Sequence, residues 1–408
     1  MKILFLADNF PPETNAAATR VHERAVYWAE WGHEVTVITS FPNFPQGCLY
    51  PGYRNLWRQV ETRDRIRVVR VKTFIAANKG GAFLRALDFL SYMASATLAA
   101  MSEKHSDVVV ATSPQFFAAA AGWLVGALRG IPFVFELGDI WPASIVGVGA
   151  MKRNPLLKLM ERFELFLYRR AARIVALTHA FKTNLTRRGI APGKIAVVLN
   201  GVDFGRYAPR PRDKALAAEW DVAGKFVIGY VGTHGMAHGL VNVLDAAEKT
   251  RDRIDICFLL VGDGAERDML VADVARRKLA NVRMIGPQPK EAMPRIWSLC
   301  DVALVHLRDS PVFAEVIPSK IFEAMGMGLP ILLVAPVGEA KEIVEADRAG
   351  VWVPPGDPAQ LSMAARRLAD DRTGRDRLAT AALEAAPDHS RRAQAEAMIE
   401  VLQAVVAR

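Results

Sequence analysis

Glu315 and Glu323 stand eight positions apart, and Pro318, Ser319 and Lys320 lie between them. Proline suits the first turn of a helix, where its missing N–H costs little. Ser319 and Lys320 then fall in that turn. Free backbone N–H groups beside an ammonium make a site for a diphosphate. A cation at a helix N-terminus is otherwise mildly unfavourable, and a bound anion offsets that cost. Glu323 comes about one turn further in, where a carboxylate can accept two hydrogen bonds from a vicinal diol such as a ribose. Glu315 precedes the helix and can reach a sugar. Gly328 ends the helix, and Pro330 follows before a strand, ILLVA. Taken without Pro-Ser-Lys, the same stretch reads as an amphipathic helix with surface charges.

Two earlier segments could also do chemistry. The first strand runs into ADNFPPETNAAATR. Thr14, Asn15, Ala16 and Ala17 are small or capping residues before a helix, so a ligand can approach the backbone there and an anion can meet free N–H groups. The bland alternative is a loop with a capping Asn. The glycine fingerprint of a dinucleotide-binding turn is missing at this position, which argues against a dehydrogenase. In VFELGDIWPAS a strand ends and Asp139 follows a glycine, ahead of Trp141 and Pro142. Such a carboxylate can orient or deprotonate a hydroxyl, or it can cap the next turn.

These segments need a scaffold, and the hydrophobic pattern supplies one. Short β-branched runs bounded by turn residues alternate with helical periods, so the chain reads as α/β with parallel sheets. MKILFLA, VTVITSF, IRVVRVK, DVVVATS, PFVFEL and RIVALT form a first array. KFVIGYVG, ICFLLVGDG, VRMIG, VALVHL, PILLVA and GVWVPP form a second, after an exposed linker, FGRYAPRPRDKA. The expected organisation is two Rossmann-like domains, 1–204 and 205–389, with a helix at 390–408 packing back on the first. A ligand cleft is expected between them, at the carboxyl ends of the strands.

Charge is unevenly placed. Residues 1–204 carry 25 Lys/Arg and 15 Asp/Glu, net +10; residues 205–408 carry 27 and 28, net −1. The first half therefore suits an anionic surface or acceptor, although a generally basic proteome would look the same. Motifs for nucleic-acid binding are missing. Residues 83–101 are apolar but contain Arg85 and Asp88, and read as a helix buried between sheet and neighbours. Residues 152–173 mix basic residues with Leu, Phe and Tyr, which suits an interfacial helix or an ordinary surface helix. The chain has three cysteines, Cys48, Cys257 and Cys300, all far apart. They form no metal-like cluster, so a reducing, cytoplasmic setting is expected. The apolar start MKILFLA is too short for a signal peptide.

The ordered series PPE, WGHEVTVITSFPNFPQG, GDIWPAS, VLNGVD, GYVGTHGMAHGL, LLVGDGAERDML and VIPSKIFEAMGMGLPI resembles the family-4 retaining glycosyltransferases of GT-B fold. Within them it is most similar to the fucosamine-type amino-sugar transferases of bacterial O-antigen and exopolysaccharide assembly. The resemblance implies a UDP-sugar donor and a lipid-linked or oligosaccharide acceptor; the sequence lacks an Asp-x-Asp motif, so no metal is expected, and the basic first half suits peripheral binding at the inner face of the plasma membrane. It implies that Glu315 contacts the transferred sugar, Glu323 the ribose and Lys320 the diphosphate. Gly232 to Gly239 would form the glycine-rich loop near the phosphates, Gly286 and Pro287 would pack against the base, and Asp139 would sit on the acceptor side. Two departures stand out. His234, Gly235 and His238 occupy a loop where relatives carry Arg and Lys, with Lys320 and Arg308 as other sources of charge. Asn15-Ala16-Ala17 stand where relatives commonly have glycines. A UDP-sugar epimerase and a non-catalytic sugar-nucleotide-binding partner are the alternatives.

Overall fold

The computed structural model describes residues 1–407 except 14, 45, 77–80, 114–115 and 142–153; the side chains of 81–82 are also not described. Thr14, Pro142, Lys152 and Arg153 thus lie outside the described residues. The chain forms two compact units, residues 1–199 with 391–408, and residues 200–390. The expected boundary after 204 is too late. Val202 donates its N–H to the His389 carbonyl at 2.7 Å and bridges Ser390, which ties 200–204 to the second unit.

The first unit is built on one eight-stranded sheet: β1 (Lys2–Leu6), β2 (Glu34–Ser40), β3 (Arg58–Arg63), β4 (Ile66–Val71), β5 (Val108–Thr112), β6 (Phe133–Leu137), β7 (Arg173–Ala176) and β8 (Ile195–Val197). Their order is β3-β4-β2-β1-β5-β6-β7-β8. Only β3 runs antiparallel, in a hairpin with β4. Asp64 and Arg65 make its turn at φ 50° and 63°, the left-handed pair that a tight hairpin requires. RQVETR lacks an apolar face, which is why the sequence pattern passes over β3. Helices α1 (Ala16–Glu30), α2 (Gly81–Ser102), α3 (Phe116–Arg129), α4 (Pro155–Arg170) and α5 (His179–Arg187) connect the strands. Strands β1, β5 and β6 are apolar along nearly their whole length because helices cover both faces.

The second unit holds six parallel strands: β9 (Phe226–Val231), β10 (Ile256–Val261), β11 (Val282–Ile285), β12 (Val302–His306), β13 (Ile331–Val334) and β14 (Gly350–Val353). Their order is β11-β10-β9-β12-β13-β14, that of a doubly wound nucleotide-binding sheet. Its helices are α6 (Lys214–Glu219), α7 (Val241–Lys249), α8 (Arg267–Arg277), α9 (Met293–Trp297), α10 (Lys320–Met327), α11 (Glu339–Ala346), α12 (Pro358–Asp370) and α13 (Arg372–Ala385).

The chain then returns to the first unit as α14 (Arg391–Val406). Met398, Leu402 and Val405 join the core of Phe5, Val21 and Trp28. The Trp28 indole donates to the Ala395 carbonyl at 3.0 Å, and Arg391 pairs with Glu23 at 2.9 Å. In each sheet the order reverses direction beside one strand, between β1 and β5 and between β9 and β12. Loops on the carboxyl side of such a switch diverge and leave a crevice.

Beneath the first crevice lies a buried charge cluster. Glu136 Oε1 accepts from Arg24 Nη2 at 2.6 Å and from Arg20 Nε at 3.2 Å. Burial alone would raise the Glu136 carboxyl, but Arg24 and Arg20 hold it down at about 2. Burial pushes the Arg24 guanidinium down, and the Glu136 charge opposes that. Arg24 also stacks over Phe5 and Trp28. Removing one partner strands a buried charge, so Arg24→Ala should lower unfolding stability by about 3–5 kcal/mol. A depressed carboxyl contributes stability above its unfolded value and loses it as pH falls towards the folded value. The wild-type contribution should therefore fade between about pH 5 and pH 2. Urea unfolding of both proteins across that range measures each effect.

Candidate functional site

The crevice of the second unit gathers most of the residues singled out by sequence. Lys320 opens α10 and is buried, only 9% exposed. Its Nζ sits 3.9 Å from the centre of the Tyr230 ring at the end of β9. No hydrogen-bond partner reaches that Nζ among the described residues. A Cβ at Gly232 would come within 2.9 Å of it, so the glycine is what lets the ammonium approach the strand end. Burial lowers the ammonium to about 8, against a pull upward from Glu323.

Two of the backbone N–H groups expected to be free at this helix start are taken. Ile321 and Phe322 donate to the carbonyls of Pro318 and Ser319 at 3.1 Å each. Pro318 precedes the helix, and Ser319 is its N-cap without a side-chain cap bond. These two N–H groups are engaged within the first turn, and the Lys320 ammonium is the cationic group of the helix start. Glu323, half-buried one turn on, accepts from the Trp297 indole at 3.3 Å. Glu315 ends a 3₁₀ turn, Pro311–Glu315, and is half-buried. Gly328 terminates α10 at φ 67°, as its sequence position implies.

The loop after β9 is fixed by close packing and by histidines. Gly262 has φ 146°, and a Cβ there would lie 1.8 Å from the Gly232 carbonyl oxygen. His234 is fully buried beside it; its N–H donates to the Asp263 carbonyl at 2.8 Å, and its own carbonyl accepts from Glu266 N–H at 2.9 Å. His238 donates from Nδ1 to the His306 carbonyl at 3.3 Å, while His306 donates from Nδ1 to the His238 carbonyl at 2.6 Å. Asn242 donates to His306 Nε2 at 2.9 Å. His306 must then be neutral, with its proton on Nδ1. Gly235 accepts the His238 N–H, and Ala237 accepts the Arg308 N–H, so β12 holds this loop from below.

These histidines supply no charge at neutral pH in the free protein. Burial, with Arg267 and Lys320 nearby, lowers His234 to about 4. Burial and Lys320 lower His238 to about 3, and burial lowers His306 to about 4. Arg308 is exposed at the end of β12. A second cation that sequence reasoning missed is Arg267, at the start of α8. Its Nε is buried without a partner, its charge acts on His234, and its Nη2 would lie 3.7 Å from a Cβ at Gly286. The signal was present in GDGAERDML, where a cation follows a glycine turn at a helix start. Gly286 and Pro287 follow β11, with Pro287 exposed.

The crevice of the first unit holds a cavity of about 270 Å³, lined by Asp8, Asn9, Ala17, Asn43, Phe44, Arg85, Asp88, Phe89, Thr112, Ser113 and Trp141, among others. Asn15 caps α1, accepting from Ala18 N–H at 2.9 Å, and its Nδ2 is buried without a partner. Ala16 is exposed. Asp139 follows β6 and does not line the cavity. Its N–H and that of Gly138 donate to Ser113 Oγ at 3.3 and 2.8 Å, which puts it one residue behind the wall. Asp88 does line it, and burial lifts its carboxyl to about 6. Sequence reading noted Arg85 and Asp88 only as interruptions of an apolar helix. Among the described residues no group of three His, Cys, Asp or Glu side chains is placed to hold a metal ion.

Residues 15–201 match the family described as Glycosyl transferase 4-like domain, and residues 214–385 match Glycosyl transferases group 1. The chain is 26% identical over 337 residues to WcaI of Escherichia coli, named for colanic acid biosynthesis, covering 80% of this chain and 82% of that one. It is 27% identical over 305 residues to the glycosyltransferase WbjE of Pseudomonas aeruginosa, covering 73% and 74%. Among solved structures it superposes on sucrose-phosphate synthase of Thermosynechococcus elongatus with a TM-score of 0.81 at 18% identity, covering 100% and 99%. HepE of Anabaena, solved with UDP-glucose, gives 0.76 at 20% identity, covering 99% and 100%. The fold is GT-B, two Rossmann-like α/β domains.

The glycine packing yields a direct test. Gly262→Ala adds a Cβ against the Gly232 carbonyl at a left-handed φ. It should cost about 2–4 kcal/mol and lower the melting temperature by several degrees. A calorimetric scan beside the wild type reads the shift.

Proposed function

We propose that this chain, a glycosyltransferase by both of its domains, moves an N-acetylated amino sugar from a UDP-sugar to a growing lipid-linked glycan, with retention at the anomeric carbon and without a metal. The observation that carries the donor part is the buried Lys320 ammonium, without a hydrogen-bond partner, one turn before Glu323. An unpaired buried cation is costly, and a diphosphate relieves that cost. HepE, whose fold matches, was solved with UDP-glucose, and the name of WcaI, for colanic acid biosynthesis, supports a role in polysaccharide assembly.

In this reading Lys320 and Arg267 hold the diphosphate over the loop from Gly232 to Gly239. Glu323 takes the ribose diol, Gly286 and Pro287 pack against the base, and Glu315 orients the sugar. The bond from the anomeric carbon to the diphosphate oxygen breaks, and its electron pair stays on the diphosphate. Lys320 is preorganised for that developing charge. The acceptor hydroxyl attacks from the same face and passes its proton to the departing diphosphate. The 270 Å³ cavity is the acceptor's place, and Asp139, behind its wall, acts on the acceptor side as a positioning residue through Ser113.

A screen of UDP-sugars against lipid-linked acceptors, read by UDP release, tests this directly. Release is expected from a UDP-N-acetylamino sugar only when acceptor is present. An epimerised sugar nucleotide formed without acceptor would support the epimerase reading instead. Lys320→Ala should fold normally and lose about 10²–10³-fold in turnover. The free ammonium titrates near 8, and the bound anion needs it charged. Affinity for UDP should therefore weaken as pH rises above about 8, by up to about tenfold per unit, with proton uptake on binding. Calorimetry in two buffers of different ionisation enthalpy measures this, and Lys320→Met should abolish the dependence.

A further inference from the structure

The second unit has another cavity, at the end of its sheet opposite the Lys320 crevice. It measures about 360 Å³ and lies where β9, β10 and β11 begin. Lys225, Arg251, Lys278, Arg283, Asp221 and Asn281 line it, among others. Four cations and one acid give this lining a net charge of +3. Residues 205–408 as a whole are net −1. Elsewhere in the unit arginines sit against acids: Arg212 with Asp301 at 2.6 Å, and Arg253 with Asp255 and Asp370 at 2.7 and 2.9 Å.

Around the cavity the cations are held mainly by neutral groups. Lys225 Nζ donates to the Ile254 carbonyl at 2.6 Å. Arg283 donates to the Ala280 and Val282 carbonyls at 2.8 and 3.1 Å and pairs with Asp221. Arg251 donates to the Arg277 carbonyl and pairs with Glu248 at 3.3 Å, but Glu248 is shared with Arg277 at 3.2 Å. Lys278 caps α8 with a left-handed backbone, φ 54°, and is exposed. A carbonyl fixes an ammonium or guanidinium without cancelling its charge. The positive excess therefore stays at the cavity and attracts an anion. Cys257 also lines the cavity, and burial lifts its thiol to about 11, so it adds no negative charge near neutrality.

The cavity carries an unmet acceptor as well. Asn281 Nδ2 donates to the Ala247 carbonyl at 2.8 Å and to Thr250 Oγ1 at 3.3 Å, which fixes the orientation of the amide. Its Oδ1 is buried, and no donor reaches it among the described residues. A buried acceptor without a donor is costly. A hydroxyl on the ligand supplies one.

We infer that this cavity binds a phosphate monoester bearing hydroxyl groups, a sugar phosphate, with Lys225, Arg251 and Lys278 around the phosphate and Asn281 accepting from a hydroxyl. The site stands at the amino ends of the strands and the Lys320 crevice at their carboxyl ends, so one ligand does not displace the other. The interaction weakens with salt because its ionic part is screened.

The test is titration calorimetry on the whole 408-residue chain with glucose 6-phosphate, inorganic phosphate and glucose as separate probes. Glucose 6-phosphate should bind more tightly than inorganic phosphate, and glucose should give no heat. Binding should persist with UDP at saturation and in Lys320→Ala, which separates this site from the donor proposal. Lys225→Gln/Lys278→Gln should keep its melting temperature and lose about tenfold or more in affinity. Lys278 is exposed, so Lys278→Gln alone keeps the test readable if the double variant does not fold. Asn281→Ala should narrow the gap between glucose 6-phosphate and inorganic phosphate. Failure of the wild type to bind glucose 6-phosphate would overturn the inference, as would its displacement by UDP or unchanged affinity in the folded lysine variants. Equal affinity for inorganic phosphate would also overturn it, by removing the role of the hydroxyl.

Discussion

An ammonium buried without a hydrogen-bond partner is the constraint around which the second unit is organised. Lys320 reaches the end of β9 because Gly232 leaves room and because Tyr230 offers its ring face. A cation over an aromatic face recovers part of its lost hydration, but an aromatic ring cannot saturate three N–H donors. The site is therefore built with an electrostatic demand that an anionic ligand meets. Arg267, with a buried unpartnered Nε on the adjoining α8 start, adds to that demand.

Burial keeps the histidines of this crevice neutral, and nearby cations add to it. Three further positive charges beside Lys320 would repel it in a poorly solvated crevice. His234, His238 and His306 are instead held uncharged, and the rings of His238 and His306 serve as hydrogen-bonding struts. The reciprocal bonds between His238 and His306 tie the glycine-rich loop to β12, and Asn242 fixes the tautomer. Gly262 lets the turn after β10 approach the same loop from the other side. Rigidity here keeps the charge at Lys320 fixed, which is what preorganised electrostatic stabilisation needs.

In the first unit a different arrangement does the equivalent structural task. Arg20, Arg24 and Glu136 lock α1 to β6 beneath the crevice, and the return of α14 covers α1 from outside. The cavity above has aromatic, amide and carboxylate walls, and one wall belongs to α2. That helix also carries an exposed apolar face of Phe83, Leu87, Leu90, Leu98 and Met101.

The sequence by itself determined the alternation of strands and helices, the two parallel sheets and the cluster from Glu315 to Gly328. Each is a local matter: β-branched runs, a proline before a helix, a glycine after one. It missed β3, whose polar residues make a strand only by pairing with β4. It placed the unit boundary five residues late, because Val202 bonds to His389, far along the chain. Tertiary structure alone decided that Lys320 is buried, that the Ile321 and Phe322 N–H groups are taken, that the histidines are uncharged, and that Asp88 rather than Asp139 lines the first-unit cavity. It also decided which side of α2 is bare. Local pattern fixes conformation, but burial and charge state depend on which distant elements pack against a side chain, and spacing along the chain does not encode that.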